Sequence, residues 1–248
     1  MIKFPTLRTS RLTAELGELS IATAVQLAKI PADQHEQATT FLLSHSVKVL
    51  DGEADVRLWT VQERLLAVAY YLAATLDEPN FAIGDEGAFL DYLAGEVDAV
   101  AAPVSVGEVE GDAFMLRHLS GAMAESIERL HGELDGISGR FHWLLGCLAA
   151  QLYPAAHPPA ETGHDGALDE VIRQRMQVFA AYPDSVFAQL LAAFYQGQQQ
   201  LQHLFAVDVD ESGLVVLPKP TGGAESNLFP ARFPAVECLS ELAWAMAR

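Results

Sequence analysis

One segment constrains the fold more than any other, because it combines a helix-start signal with a long apolar run. Thr60 is followed three residues later by Glu63, the spacing of a capping box, in which two side chains satisfy free backbone N–H groups at the first turn of a helix. Apolar residues then cover most of the circumference of a helix, and they are Leu65, Leu66, Val68, Ala69, Tyr70, Leu72 and Ala73. A helix that is apolar on nearly all sides is a buried one. We therefore predict a central core helix here.

Helical patterns also dominate the rest of the chain. They predict helices over residues 21–30, 34–49, 88–93, 121–134, 140–153, 168–181, 185–205 and 236–247. Alternating residues predict a short strand at 11–16, a hairpin within 97–119, and a second hairpin joining 206–209 to 214–217. The expected fold is mainly α, a multi-helix globular protein with one or two short β-hairpins. The expected domains are an N-terminal helical part, residues 1–98, and residues 99–248, a β-hairpin followed by a C-terminal helical part.

Composition narrows the class further. Half of the 248 residues are apolar, which is typical of a folded chain. Cys147 and Cys238 lie in apolar, helix-like stretches, so we expect buried, reduced thiols and a protein made in the cytosol. The N-terminal residues lack the apolar core of a signal peptide, and no run of 18 apolar residues occurs. We expect no membrane interaction.

The charge is strongly negative and uneven. The net charge is −18, which argues against a nucleic-acid partner because phosphates require a basic surface. Residues 65–116 contain no Lys or Arg and have a net charge of −10, with Asp85, Glu86 and Asp91 near their centre. This acidic block is either a solvated surface that keeps the protein soluble or a surface for a basic protein partner.

The motifs of enzymes are missing or incomplete. The sequence contains no dinucleotide-binding, P-loop, nucleophile-elbow or zincin signature. Asp208 and Asp210 begin a calcium-loop pattern, but its twelfth position is Lys219, where calcium requires a carboxylate. A Glu-x-x-His pair, the signature of a di-iron bundle, occurs twice, as Glu128/His131 and as Glu161/His164 in a proline-rich loop. We expect no catalytic residues, no metal, no cofactor and no small-molecule substrate.

A long uncharged segment stands out against this charge. No charged residue occurs in the 23 residues from Ser185 to Val207. One side of the predicted helix is an apolar stripe, and the other side carries Gln189, Gln196, Gln199, Gln200 and His203. Amides can be buried with hydrogen bonds, whereas unpaired charges cannot be buried without a large cost. The polar side is therefore either exposed without charge or buried against another chain or another copy.

The C-terminal region has its own candidate contact. Pro230 and Pro234 bracket Arg232 and hold the segment extended. Phe229 and Phe233 would then anchor it. They contact either the body of the same chain or a neighbouring protein.

Four stretches resemble helical proteins encoded among the tail genes of tailed bacteriophages. The stretches are residues 19–31, residues 59–72, the Leu90–Leu93 element and the ending Leu228–Pro234. The resemblance is diffuse and includes no diagnostic motif. It implies a tail or baseplate component, located in the virion tail and assembled in the host cytoplasm, or a factor that assists tail assembly.

We therefore expect a non-catalytic structural protein that binds other proteins of the same assembly or copies of itself. The alternatives are a non-virion tail-assembly chaperone and a helical metal-dependent enzyme without a recognised motif.

Overall fold

The computed structural model describes residues 2–94, 102–159, 165–220 and 226–247. It contains eight α-helices and ten strands within these residues, and the strands form four small antiparallel sheets. Helical residues, including those of the 3₁₀ turns, account for 46% of the described residues, and strands account for 18%. The prediction of a mainly α fold is wrong, because the protein is a mixed α/β protein.

The chain divides into two compact units. The first unit comprises Met1–Ala99, His203–Asp208 and Leu214–Arg248, and the second comprises Val100–Gln202 and Val209–Gly213. The prediction that the chain has two domains, residues 1–98 and residues 99–248, stays a prediction.

The first unit is built around one long helix. Its elements are β1 (Leu7–Arg8), β2 (Thr13–Leu16), α1 (Ile21–Leu27), α2 (His35–Ser46), β3 (Val47–Asp51), α3 (Val61–Leu76), β4 (Ala82–Ile83), β5 (Gly87–Ala88), a 3₁₀ turn (Phe89–Asp91), a second 3₁₀ turn (Ala235–Cys238) and α8 (Glu241–Ala247). The strands form an antiparallel sheet in the order β1-β2-β3 and a separate β4–β5 hairpin. The apolar residues of α3 lie in the core of this unit.

The second unit packs helices on a small sheet. Its elements are β6 (Val104–Val109), β7 (Asp112–Leu116), α4 (Gly121–Arg129), α5 (Gly139–Gln151), β8 (Leu152–Pro154), α6 (Asp165–Ala180) and α7 (Asp184–Leu201). The three strands form an antiparallel sheet in the order β6-β7-β8. A final hairpin, β9 (Ala206–Asp210) with β10 (Gly213–Leu217), has residues in both units.

Helix starts follow the local sequence closely. The side chain of Ser20 accepts a hydrogen bond from the N–H of Thr23, and Ser120 does the same for Met123. The capping box of Thr60 and Glu63 is complete in both directions. The predicted capping box is confirmed. All three caps depend on a local signal, and no distant partner is needed to form them.

Strands that begin where a helix ends account for part of the error in fold class. The predicted helix 34–49 ends at Ser46, and β3 begins at the next residue; the predicted helix 140–153 ends at Gln151, where β8 follows. Both strands pair with residues far away in sequence, β3 with β2 and β8 with β7. No turn residue marks either boundary, so helical periodicity alone extends the helices too far.

Other boundaries also differ from the predictions. The predicted helix 121–134 ends at Arg129, and the predicted helix 88–93 is a 3₁₀ turn preceded by the β4–β5 hairpin. The predicted helix 236–247 is a 3₁₀ turn followed by α8. α7 ends at Leu201 rather than residue 205, and its N-cap is Pro183.

Glycine allows α7 to lie close to the sheet of its unit. A Cβ atom on Gly197 would lie 2.5 Å from Cγ1 of Val106 and 2.6 Å from Cδ2 of Leu116. Real side chains do not approach so closely, so the helix can hold this position only without a side chain there. The close contact fixes which face of α7 points toward the sheet and which points away from it.

We expect Gly197→Ala to destabilise the protein by about 1–2 kcal/mol. The added methyl group overpacks the contact with the sheet, and this cost exceeds the gain of ~1 kcal/mol in helix propensity. Gly166→Ala in α6 is the matched control, since a Cβ atom there meets nothing within 4 Å. The unfolding midpoint in urea should fall for the first variant and stay equal or rise for the second. Equal midpoints for Gly197→Ala and the native protein would contradict the close packing.

Candidate interaction surfaces

The outward side of α7 carries no charge after its first residue. Nine residues of the helix are exposed, and the first of them is Asp184. The other eight are uncharged, namely Ser185, Ala188, Gln189, Ala192, Tyr195, Gln196, Gln199 and Gln200. At 3.6 residues per turn they occupy an arc of about 140° on one side of the helix. We call these eight residues the α7 outer face. The sequence prediction included its four glutamines and missed Ser185, Ala188, Ala192 and Tyr195, which helical spacing could have added.

A fifth glutamine of α7, Gln198, makes its side-chain hydrogen bond within the second unit. The side-chain amide of Gln198 donates a hydrogen bond to Oε1 of Gln151 at 2.8 Å. Gln151 in turn donates to the backbone carbonyl of Arg117 at 2.9 Å. Gln198 therefore helps to hold α7 on its own unit, whereas the four glutamines of the α7 outer face point to solvent.

His203 is not part of that surface. The residue is 1% exposed and belongs to the first unit, whereas α7 belongs to the second. Its Nε2 lies 2.9 Å from Oγ1 of Thr60. That hydroxyl accepts from the N–H of Glu63 at 3.2 Å and donates to Oε2 of Glu63 at 3.1 Å. The Thr60 hydroxyl oxygen then has one lone pair left, which must accept a hydrogen bond from His203. Nε2 of His203 therefore carries the imidazole proton. His203 completes the capping network of α3.

The acidic block contains acids with two different roles. Asp85 and Glu86 are exposed in the turn between β4 and β5. Asp91 is partly buried, and its Oδ2 accepts a hydrogen bond from the N–H of Ala88 at 2.9 Å. Its carbonyl accepts from the N–H of Lys219 at 2.8 Å. Asp91 therefore organises its own segment, whereas the exposed side chains of Asp85 and Glu86 can contact a partner.

We expect Asp85→Asn combined with Glu86→Gln to slow the association of a lysine-rich peptide with the protein. Exposed charges act mainly on the association rate, and the effect should disappear when salt is raised from about 0.05 M to about 0.5 M because it is screened. Stopped-flow measurement of the association rate at both salt concentrations tests this. Binding by the native protein that does not change with salt would leave solubility as the only role of these acids.

The C-terminal segment docks on the first unit through one of its two aromatic residues. Phe233 is 4% exposed, and its ring contacts those of Phe81, Phe89 and Phe205 at centroid distances of 5.9–6.2 Å. Phe229 is 85% exposed. The sequence pattern could not distinguish the two residues, since both lie next to a proline.

Backbone hydrogen bonds hold the same segment in place. Ala231 and Val216 exchange two of them, at 2.8 and 2.9 Å. The hydroxyl of Tyr92 donates to the carbonyl of Phe229 at 2.7 Å. Burial raises the pKa of Tyr92, and the neighbouring carboxylate of Asp91 raises it further. Between the two phenylalanines, the side chain of Arg232 is partly buried.

We expect Phe233→Ala to destabilise the protein by about 3–5 kcal/mol and Phe229→Ala to change stability by less than about 0.5 kcal/mol. The first change leaves a cavity in an aromatic cluster, and the second removes an exposed ring. Urea unfolding of the two variants gives a matched comparison, because the residues are four positions apart in one segment. Similar losses for both would show that Phe229 also supports the fold.

The surroundings of the two cysteines and of the partial metal motifs indicate structural roles. Both cysteines are buried without forming a disulfide, as predicted, and burial followed by the nearby Glu237 carboxylate raises the pKa of Cys238. Oδ1 of Asp210 accepts from the N–H of Ser212 at 2.7 Å in the β9–β10 turn. Glu128 lies in α4, but His131 follows the end of that helix. Glu161 and His164 lie outside the described residues.

The described residues form neither a metal-binding cluster nor a membrane-spanning helix. Within residues 2–94, 102–159, 165–220 and 226–247, no three His, Cys, Asp or Glu side chains are grouped so that they could hold a metal ion. In that same part of the chain, no helix combines the length and apolarity needed to cross a bilayer.

Comparison of the chain with protein-family models, with curated proteins and with solved structures found no match.

Proposed function

We propose that the chain is a non-catalytic protein–protein interaction component, and that the α7 outer face is the surface through which it joins its assembly. The observation that carries the proposal is the combination of exposure and neutrality. Eight side chains point to solvent on a helix that carries no charge after Asp184, in a chain of net charge −18.

Desolvation explains why such a face favours contact. A charged side chain that is covered by a partner without an opposite charge costs several kcal/mol, whereas an amide can be satisfied by hydrogen bonds. Tyr195 adds a large, partly apolar ring at one edge of the face, and tyrosine is enriched in protein interfaces. The α7 outer face can therefore be buried at a cost that the acidic surfaces of the same chain would exceed.

The proposed setting is a bacteriophage tail or baseplate, with the chain as a structural protein of the virion tail that is assembled in the host cytoplasm. The resemblance of residues 19–31, residues 59–72 and the ending Leu228–Pro234 to tail-gene products supports this setting. The comparisons with known proteins add nothing to it. The proposed partners are other proteins of the same assembly.

We expect Gln196→Glu combined with Gln200→Glu to block assembly while the isolated chain still folds. The two residues are one turn apart on the α7 outer face. On a solvated helix two such charges shift stability by only about 0.5 kcal/mol, but in an interface they cost about 2–5 kcal/mol of association. The melting temperature reports folding, and the amount of chain that co-purifies with tails from a complementation culture reports assembly.

The matched control is Gln26→Glu combined with Gln177→Glu. These glutamines are exposed on α1 and α6, so the control adds the same two charges elsewhere. Assembly that is equal for the two double variants would show that the α7 outer face is only solvated. Mass spectrometry of purified particles then separates a virion component, which remains in them, from an assembly chaperone, which does not.

A further inference from the structure

The composition of the α7 outer face identifies the kind of partner that fits it. A surface that binds an identical surface across a two-fold axis must be complementary to itself. A face of one charge sign repels its own copy, but a primary amide donates and accepts hydrogen bonds and so pairs with another amide. Four of the eight residues of the face are glutamines.

The order of residues along the face is also close to symmetric. If two α7 helices run antiparallel with the two-fold axis beside residue 194, Gln189 of one copy lies opposite Gln199 of the other. The same arrangement places Ala192 opposite Gln196 and Ala188 opposite Gln200. Small residues therefore face long ones, and side chains of unequal size interdigitate in packed helix pairs. The rings of the two Tyr195 residues lie near the axis.

Charge also favours a second copy at this face over the acidic surfaces of the chain. Two chains of net charge −18 repel each other, and the repulsion is strongest where acidic surfaces meet. An approach along α7 brings together helices that carry no charge from Ser185 to Leu201. A basic partner, in contrast, would gain most from the exposed acids Asp85 and Glu86 and nothing from this helix.

We propose that the α7 outer face binds the α7 outer face of a second copy of this chain, as an antiparallel helix pair about a two-fold axis. This inference rests on the proposed function, because it names the partner of the same surface. Eight residues on each side are fewer than the ~20–30 of a standard interface, so the dimer is weak and reversible. Screening of like charges strengthens it, since the amide contacts themselves carry no net charge.

The first test is sedimentation of the purified full-length chain between about 1 µM and about 1 mM, the range in which weak complexes dissociate. The weight-average mass should approach twice the chain mass at the upper end, and the association constant should rise when salt is raised from about 0.1 M to about 1 M. A mass that stays at one chain throughout, or an association that salt weakens, overturns the proposal.

The second test exchanges charge across the predicted pair. One variant carries Gln189→Lys with Gln199→Lys, and the other carries Gln189→Glu with Gln199→Glu. In the antiparallel arrangement each variant places like charges opposite each other, so self-association should fall at least about tenfold. A mixture places opposite charges together at both positions, so it should recover dimers of one copy of each. Both substitutions use strong helix formers, and the circular dichroism spectrum of each monomer should match that of the native chain.

Two outcomes separate this inference from the proposed function. Recovery of dimers only in the mixture supports pairing of the two α7 outer faces. A chain with Gln189→Lys and Gln199→Glu tests the direction, because an antiparallel pair of this variant places opposite charges together and a parallel pair places like charges together. If the native chain is monomeric but Gln196→Glu with Gln200→Glu still blocks assembly into tails, the α7 outer face binds a different protein and the second copy is ruled out. If the native chain dimerises but the mixture of charge variants does not recover dimers, the dimer uses another surface and the inference is overturned.

Discussion

A carboxylate with no solvent exposure lies at the start of α3, and the first unit depends on satisfying it. An unpaired charge in this position costs several kcal/mol, so each oxygen of Glu63 needs partners. The backbone N–H and the hydroxyl of Thr60 donate to Oε2 at 2.9 and 3.1 Å, and Arg11 lies 3.6 Å from the same oxygen. The hydroxyl of Thr9 donates to Oε1 at 3.4 Å. These donors come from two separate parts of the sequence.

The same network fixes the surroundings of α3. Thr9 and Arg11 lie in the connection from β1 to β2, so satisfying Glu63 places this sheet at the start of the helix. His203 lies 143 positions from Thr60 and brings the residues after α7 to the same helix start. Phe205, two residues further on, then reaches the aromatic cluster that holds Phe233. A polar cap and an apolar cluster thus position the C-terminal segment together.

The parts of this arrangement that depend on neighbouring residues were predictable, and the parts that depend on distant residues were not. The capping box is encoded by Thr60 and Glu63 alone, and the turns of the hairpins by short polar stretches with glycine. His203 as a third member of the box carries no local signal. Strands β3 and β8 are short and continue directly from helices, so only pairing with β2 and β7 defines them. For the candidate site, helical spacing identified the four glutamines of the α7 outer face. It could not show that His203 is buried and lies outside that face.

The neutrality of α7 is not explained by the requirements of folding. Glutamine and glutamate have nearly equal size and helix propensity, so the choice of the amide changes the stability of a solvated helix by only about 0.5 kcal/mol. Solubility favours the acid, and the rest of the chain follows that preference with a net charge of −18. The inner side of α7 is already determined by the contact of Gly197 with Val106 and Leu116. The choice of amides on the outer side fits the proposed burial against another protein surface, because an amide can be buried there with hydrogen bonds and an unpaired carboxylate cannot be buried without a large cost.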